Sequence, residues 1–205
     1  MARLVNPEAI EAESFRIIEE ELGPHSFTAE EFAIVQRAIH STADFEFART
    51  LRFAPGAIAS GLEAIRSGRS VVADVQMVQA GINKAGLRKF GGDVVCFIGD
   101  EDVAARAKAE GVTRAIISMR KAAEVISGAI YAIGNAPTAL LELLKLDAKP
   151  ALVVGVPVGF VSAAESKEEL ARSNLPYITA LGRKGGTPVA VSIVNALIRL
   201  AEGHR

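Results

Sequence analysis

The chain has 205 residues, and its 23 Lys and Arg against 24 Asp and Glu give a formal net charge of -1. This balance excludes a protein that binds nucleic acid or an anionic membrane through its overall field. Hydrophobic residues make up 50% of the chain and tryptophan is absent, which excludes a disordered or collagen-like chain and disfavours a base-stacking surface. With about 150 residues in a usual domain, we expect residues 1–205 to form a single domain.

The cysteine content and the start of the chain indicate a compartment. Cys96 is the one cysteine, which excludes an intramolecular disulfide and a zinc site made of cysteines. Residues 1–8 lack the uninterrupted apolar stretch of a signal peptide, and no apolar run approaches the length of a membrane span. We therefore expect a cytoplasmic protein that neither crosses nor enters a membrane.

The first third of the sequence predicts helices. Residues 7–22, 28–40 and 55–67 carry apolar side chains at helical spacing. A Gly-Pro pair ends the first helix, and Thr28 with Glu31 forms a capping-box pattern at the start of the second. This region is expected to precede the sheet as a helical N-terminal part.

Five short apolar runs follow, separated by helical stretches. The runs are residues 71–73, 94–98, 129–133, 151–154 and 177–181. Continuous apolar runs of this kind are typical of a parallel sheet that is covered on both faces. With right-handed crossovers they predict a three-layer α/β/α domain, with a doubly wound, mainly parallel five-stranded sheet of flavodoxin-like type.

The segments that follow the strands are the expected site, because ligands of open parallel sheets bind at the carboxyl ends of the strands. These segments are polar and rich in glycine, although such loops need Gly, Asn and Pro for their turns in any case. The candidates are Asp74 and Gln76 after the first run, Asn135 and Pro137 after the third, Glu165 and Lys167 after the fourth, and Arg183, Lys184, Gly185 and Gly186 after the fifth.

Basic residues in two places could hold an anion. Residues 182–187 lead into an apolar helix, so free backbone N–H groups and two cations there predict a phosphate or carboxylate site. No P-loop or dinucleotide-binding pattern accompanies them. Arg114, Arg120 and Lys121 lie on another predicted helix, where a solvated basic face is the simpler explanation.

His40 is the best candidate for an acid–base group. Of the other two histidines, His25 lies beside a Gly-Pro turn and His204 in the C-terminal tail. Considered alone, a histidine near a helix end more often caps or packs than catalyses. Three scattered histidines and one cysteine do not form a transition-metal pattern, so we expect no metal site.

Several segments, in order along nearly the whole chain, resemble one family, the precorrin-8X methylmutases of cobalamin biosynthesis. The matching segments are SFRII at 14–18, RAIHSTADF at 37–45, DVQMVQAGI at 74–82, IGNAPTAL at 133–140, GVPVGFV at 155–161 with ESK at 165–167, and GRKGGT at 182–187. The fourth and fifth strings together are far more specific than any generic motif.

The resemblance implies an isomerase without a cofactor. A methyl group would move from position 11 to position 12 of the corrin macrocycle, giving hydrogenobyrinate or its cobalt form. His40 would supply a proton, and Ser14, with the loop residues named above, would bind the substrate. Its many carboxylates would need dispersed donors, which Arg114, Arg120, Lys121, Arg183 and Lys184 could provide.

Assembly and alternative functions complete these expectations. The resemblance implies a homodimer, and the apolar faces of the first helices also favour one. A first alternative is a corrinoid-binding carrier without turnover. A second is a flavodoxin-like protein that binds a nucleotide or phosphate at residues 182–187.

Overall fold

The structure, a computed structural model, describes residues 6–203 and contains six strands in one mixed sheet with eleven helices around it. The strands are β1 (Leu51–Phe53), β2 (Val71–Ala73), β3 (Val94–Val95), β4 (Ile130–Ile133), β5 (Leu152–Gly155) and β6 (Tyr177–Ala180). The helices are α1 (Pro7–Leu22), α2 (Ala29–Thr42), α3 (Phe47–Thr50), α4 (Ala57–Arg66), α5 (Gln76–Gly81), α6 (Lys84–Arg88), α7 (Glu101–Glu110), α8 (Arg114–Val125), α9 (Pro137–Leu143), α10 (Ala163–Arg172) and α11 (Thr187–Ala201).

The sheet confirms the predicted fold class. Its strand order is β1-β6-β5-β4-β2-β3, and the five strands from β2 to β6 are parallel. The chain adds β3 on one side of β2 and then continues with β4 on the other side. This reversal of direction is the topological switch point of a doubly wound sheet, and the order of the parallel strands is that of a flavodoxin-like fold.

The predicted number of strands was one too few. Strand β1 pairs antiparallel with β6, with Leu51 opposite Ala180 and Phe53 opposite Ile178. It has only three residues, and the charged Arg52 lies at its centre. Because Arg52 interrupts it, the segment lacks the continuous apolar run by which the parallel strands were recognised. Its position follows from pairing with a strand about 130 residues later in the chain.

One predicted strand is shorter than expected. The apolar run at 94–98 forms a strand only over Val94–Val95, and the remaining residues leave the sheet. Strand β3 is an outer strand, and among the described residues it pairs only with β2, so no strand of theirs extends the ladder on its other side. The other four runs form strands within one residue of their predicted ends.

Two hydrophobic cores lie on the two faces of the sheet. Along β4, Ile130 and Ala132 belong to one core and Tyr131 and Ile133 to the other, as the two-residue period of a strand requires. Helices α2, α4, α5, α6 and α11 cover the first face, and α8, α9 and α10 cover the second. This burial on both faces explains why the strand sequences are continuously apolar.

The N-terminal helices follow the sequence signals. Helix α1 packs against α2, and α2 packs against the long C-terminal helix α11. The capping box predicted at Thr28 is present: its hydroxyl accepts from the Glu31 N–H at 3.2 Å, and the Glu31 carboxylate accepts from the Thr28 N–H at 2.9 Å. Within residues 6–203, no helix is both long and apolar enough to span a membrane.

Candidate functional site

The loops that follow the parallel strands meet at one side of the sheet, which we call the carboxyl edge. At the switch point, Asp74 directly follows β2 and is fully buried. Its carboxylate accepts hydrogen bonds from the N–H groups of Gly134 at 3.2 Å, and of Asn135 and Ala136 at 2.8 Å each. Asp74 thus fixes the loop after β4 and is not exposed to a ligand, in contrast to the substrate contact predicted for it.

The loops after β5 and β6 are joined by backbone contacts. The N–H of Gly186 donates to the carbonyl of Val156 at 2.8 Å, and the N–H of Gly159 donates to that of Arg183 at 3.2 Å. A β-carbon on Gly185 would collide with the carbonyl oxygen of Val156. Glycine is therefore required at position 185 by the close approach of the two loops.

Lys167 supports this pair of loops from within the protein. It lies on α10 and is fully buried, and its ammonium donates to the carbonyl oxygen of Lys184 at 2.6 Å. It forms no ion pair with any residue that the structure describes. Burial lowers the pKa of Lys167 from 10.5 to about 8. Its observed contact is with the loop after β6, and no surface is left for the substrate contact predicted from the sequence.

Lys184 connects the carboxyl edge with the end of α2. Its ammonium contacts the carboxylates of Asp44 at 2.6 Å and Glu46 at 2.8 Å. These hydrogen bonds raise the pKa of Lys184, and the bond from Lys184 lowers the pKa of Asp44. The contacts bring the segment after α2, and with it His40, to the side of the sheet where the loops meet.

His40 lies at the mouth of a groove between α1 and α2. The side chain is exposed, and the groove, with a cavity of about 250 Å³, is lined by Ser14, Ile17, His40 and Phe45 among others. The His40 ring contacts the Phe15 ring edge-on, with 5.2 Å between the ring centroids. The Ser14 hydroxyl donates to the Ile10 carbonyl at 2.8 Å, which leaves its oxygen free to accept a hydrogen bond.

Other predicted residues are exposed at the carboxyl edge. They are Gln76, Arg114, Asn135, Glu165 and Arg183, with Pro137 partly buried. Arg114 begins α8, and the neighbouring hydroxyls of Thr113 and Thr138, 3.4 Å apart, place this end of α8 beside the start of α9. The Arg183 guanidinium lies over the Phe160 ring, 5.5 Å from its centroid. Neither Arg114 nor Arg183 forms an ion pair with another of residues 6–203.

Two predicted ligands of the substrate are already paired with carboxylates. Arg120 contacts Glu142 at 2.7 Å and Glu110 at 2.6 Å. Lys121 contacts Asp100 and Asp102 at 2.7 Å each. These pairs connect α8 with α9, with α7 and with the loop before α7. A structural role explains both residues, and the sequence could not reveal it because the carboxylates lie 10 to 22 residues away.

The structure also shows residues that the sequence prediction missed. Asp44 anchors Lys184, and Phe160 and Val161 are 85% and 83% exposed in the loop after β5. An aromatic residue within a glycine-rich loop was the available signal for Phe160. Among the described residues, no group of three His, Cys, Asp or Glu side chains is placed to hold a metal ion. His204 lies outside the described residues.

Replacing Lys167 by Met tests the buried charge. The pKa of Lys167 is lower in the folded than in the unfolded chain. Below pH 8, where Lys167 is protonated in both states, this difference lowers the free energy of unfolding by about 3 kcal/mol. Loss of the hydrogen bond to Lys184 offsets about 1 kcal/mol of this. We expect Lys167→Met to be about 2 kcal/mol more stable than wild type at pH 7.

Between pH 8 and 10.5 the unfolded wild-type chain binds more protons at Lys167 than the folded one, so wild-type stability rises relative to the variant. The advantage of Lys167→Met should therefore vanish by about pH 10.5. Urea unfolding of both proteins at pH 7 and 10.5 measures this. A stability difference that is the same at both pH values would contradict it.

Comparison with known proteins identifies the family. The family model described as precorrin-8X methylmutase matches residues 9–200. A cobalt-precorrin-8 methylmutase of Priestia megaterium is 58% identical over 202 residues, covering 97% of this chain and 90% of the relative. One of Leptospira interrogans is 49% identical over 204 residues, covering 94% and 93%. The crystal structure of a precorrin-8x methyl mutase from Thermus thermophilus has a TM-score of 0.87 at 44% identity, covering 95% and 98%. The resemblance in the sequence is thereby confirmed, and this chain belongs to the precorrin-8X methylmutase family.

Proposed function

We propose that this chain is an isomerase that moves a methyl group from position 11 to position 12 of precorrin-8X or its cobalt form. The position of His40 carries this proposal most directly. The His40 imidazole is exposed and shares a groove with the Ser14 hydroxyl. Asp44, four residues after His40, is joined by an ion pair to Lys184 in the loop after β6. An acid–base group therefore lies next to the loops that can bind the rest of a large ligand.

The carboxyl edge suits a flat ring with ionised side chains. Arg114 and Arg183 are exposed cations without ion-pair partners among the described residues, so they are available for carboxylates. Phe160, Val161 and Met77 are exposed apolar side chains that can contact the faces of the macrocycle. Because the net charge of the chain is only -1, these cations do not face a strongly acidic background.

His40 acts in this proposal as the general acid. A proton donated to the conjugated macrocycle lowers the barrier to methyl migration, and such help is worth roughly 10²- to 10⁴-fold in rate. Substrate and product are isomers, so the proton is returned before the product leaves. The second alternative, nucleotide or phosphate binding at residues 182–187, has no support from the comparisons, in which the methylmutase family model matches residues 9–200.

Replacing His40 by Asn separates turnover from binding. We expect His40→Asn to bind the coloured product like wild type and to convert substrate at least about 10²-fold more slowly, because Asn keeps a hydrogen-bonding group but cannot donate the proton. Absorbance spectra follow both quantities.

His25→Asn is the matched control, since His25 stacks on Phe32 at a distance of 4.3 Å and lines no part of the groove around His40. A His40→Asn enzyme within about tenfold of the wild-type rate would remove His40 from the acid role. Wild-type protein that binds the product and never turns over would favour the carrier alternative.

Arg183 and Arg120 form a second matched pair. We expect Arg183→Gln to weaken product binding by roughly 10- to 100-fold, the effect of losing a charge-assisted hydrogen bond, with little change in stability. Arg120→Gln should leave product affinity unchanged and lower stability, because it leaves the mostly buried Glu142 without its partner. Absorbance titration and urea unfolding measure the two effects. The opposite pattern would place the substrate beside α8 and α9.

Location and assembly follow from the same proposal. We place the enzyme in the cytoplasm as a homodimer with sites near the subunit boundary. In support, Ile10 and Ile17 on α1 are 46% and 40% exposed and flank Ser14 on one stripe beside His40. A second copy that covers this stripe would also cover the groove.

Light scattering tests the dimer. We expect a mass of about twice 21.6 kDa at micromolar concentration, and a shift towards the monomer in Ile17→Glu. Val125→Glu is the control, because Val125 is 60% exposed at the end of α8, away from the groove. A wild-type mass near 21.6 kDa would refute the homodimer.

A further inference from the structure

A second cavity lies beside the His40 groove, between α1, α2 and α11. It has a volume of about 390 Å³, and its charged lining consists of Glu11, Arg37 and Arg199, one from each helix. The Phe15 ring and the Gln36 amide complete its polar and aromatic walls. Neither the comparisons nor the sequence motifs assign a role to Arg199 or to this cavity.

The cavity holds more positive than negative charge. Arg37 is only 18% exposed, and its guanidinium donates one hydrogen bond to Glu11, at 3.1 Å. Arg199 is partly buried and forms no hydrogen bond or ion pair with any of residues 6–203. Burial and the nearby charge of Arg199 lower the pKa of Arg37. Glu11 thus pairs with only one of the two guanidiniums, and most of their N–H donors have no acceptor among the described residues.

The cavity adjoins the surroundings of His40. The Phe15 ring contacts the His40 ring, and the Arg37 guanidinium lies over the Phe15 ring, 4.9 Å from its centroid. Glu11 lines both this cavity and a shallow depression that His40 lines. One aromatic ring therefore contacts both the proposed acid and Arg37.

We propose that Arg37 and Arg199 form a carboxylate subsite, which receives one of the peripheral carboxylates of the corrinoid substrate. This rests on the function proposed above. Planar guanidiniums bind carboxylates through paired hydrogen bonds, and the stacking of Arg37 on Phe15 orients its fork in advance. A carboxylate held there would anchor the macrocycle on the arginine side of Phe15, close to His40. It would thereby fix which carbon of the macrocycle faces the proton donor.

The arrangement is difficult to explain as a stabilising feature of the fold. Arg199 forms no hydrogen bond or ion pair with another described residue, and its positive charge is close enough to Arg37 to lower the pKa of Arg37. Removing its charge should therefore leave the melting temperature unchanged or raise it. Loss of ligand affinity without loss of stability is the signature of a binding residue.

Arg199→Gln tests the subsite, with Arg66→Gln as its control. Arg66 is exposed at the end of α4 and forms no ion pair with a described residue. We expect Arg199→Gln to raise the dissociation constant of the coloured product, and KM, by about tenfold or more, with kcat within about threefold of wild type. Arg66→Gln should match wild type. Arg37→Lys, which keeps the charge and loses the fork, should also weaken binding.

Inorganic phosphate distinguishes the possible sources of the anion. If Arg199→Gln binds the product like wild type, the carboxylate subsite is overturned. If phosphate then raises the melting temperature of wild type but not of Arg199→Gln, the cavity is assigned to a free anion. If wild type neither binds nor converts the corrinoid, the proposed function fails. In that case a phosphate effect that is lost in Arg199→Gln supports the anion site, and its absence in wild type overturns it.

Discussion

A buried carboxylate determines the shape of the carboxyl edge. Asp74 follows β2 at the switch point and holds three consecutive N–H groups of the loop after β4. Burial raises the pKa of this carboxyl, and the backbone hydrogen bonds oppose the rise. The crevice in which a doubly wound sheet usually binds its ligand is thus closed at its base by the protein itself. In the function that we propose, the ligand lies further out, among the exposed side chains of the loops and of α1 and α2.

Unpaired positive charge is concentrated in a few places in a protein whose net charge is only -1. Lys167 lies beneath the loop after β6 and has no carboxylate partner among the described residues. In the cavity that Arg37 and Arg199 line, Glu11 pairs with Arg37, and Arg199 has no carboxylate partner among those residues. Uncompensated charge that is taken out of water costs stability. At Lys167 this cost goes with a charge that holds the loop after β6, whereas Arg37 and Arg199 are the residues to which we assign ligand binding. The paired Arg120 and Lys121 show the opposite arrangement, in which every charge has its carboxylate.

The sequence predicted those parts of the fold that depend on local periodicity. The helices around 7–22 and 28–40 and the parallel strands are present because apolar spacing and end signals act within a few residues. The contacts that the predicted site residues make within the protein could not be read from the sequence. Asp74 binds a loop about 60 residues away and Lys167 binds a backbone carbonyl, and no residue pattern encodes either partner. The environment of His40 depends in the same way on Phe15 of a different helix.

The two outer strands of the sheet have a consequence for how the molecule avoids unwanted association. Strand β1 has three residues and β3 has two, so each offers only a few unpaired backbone groups to another chain. On β1, the Arg52 guanidinium also donates to the carbonyl of Leu51 at 2.8 Å and so occupies an acceptor that an incoming strand could use. Growth of the sheet by strand addition between molecules is therefore disfavoured at both ends. Ordered self-association is left to side chains on the helices, whose shape can be specific in a way that backbone pairing cannot.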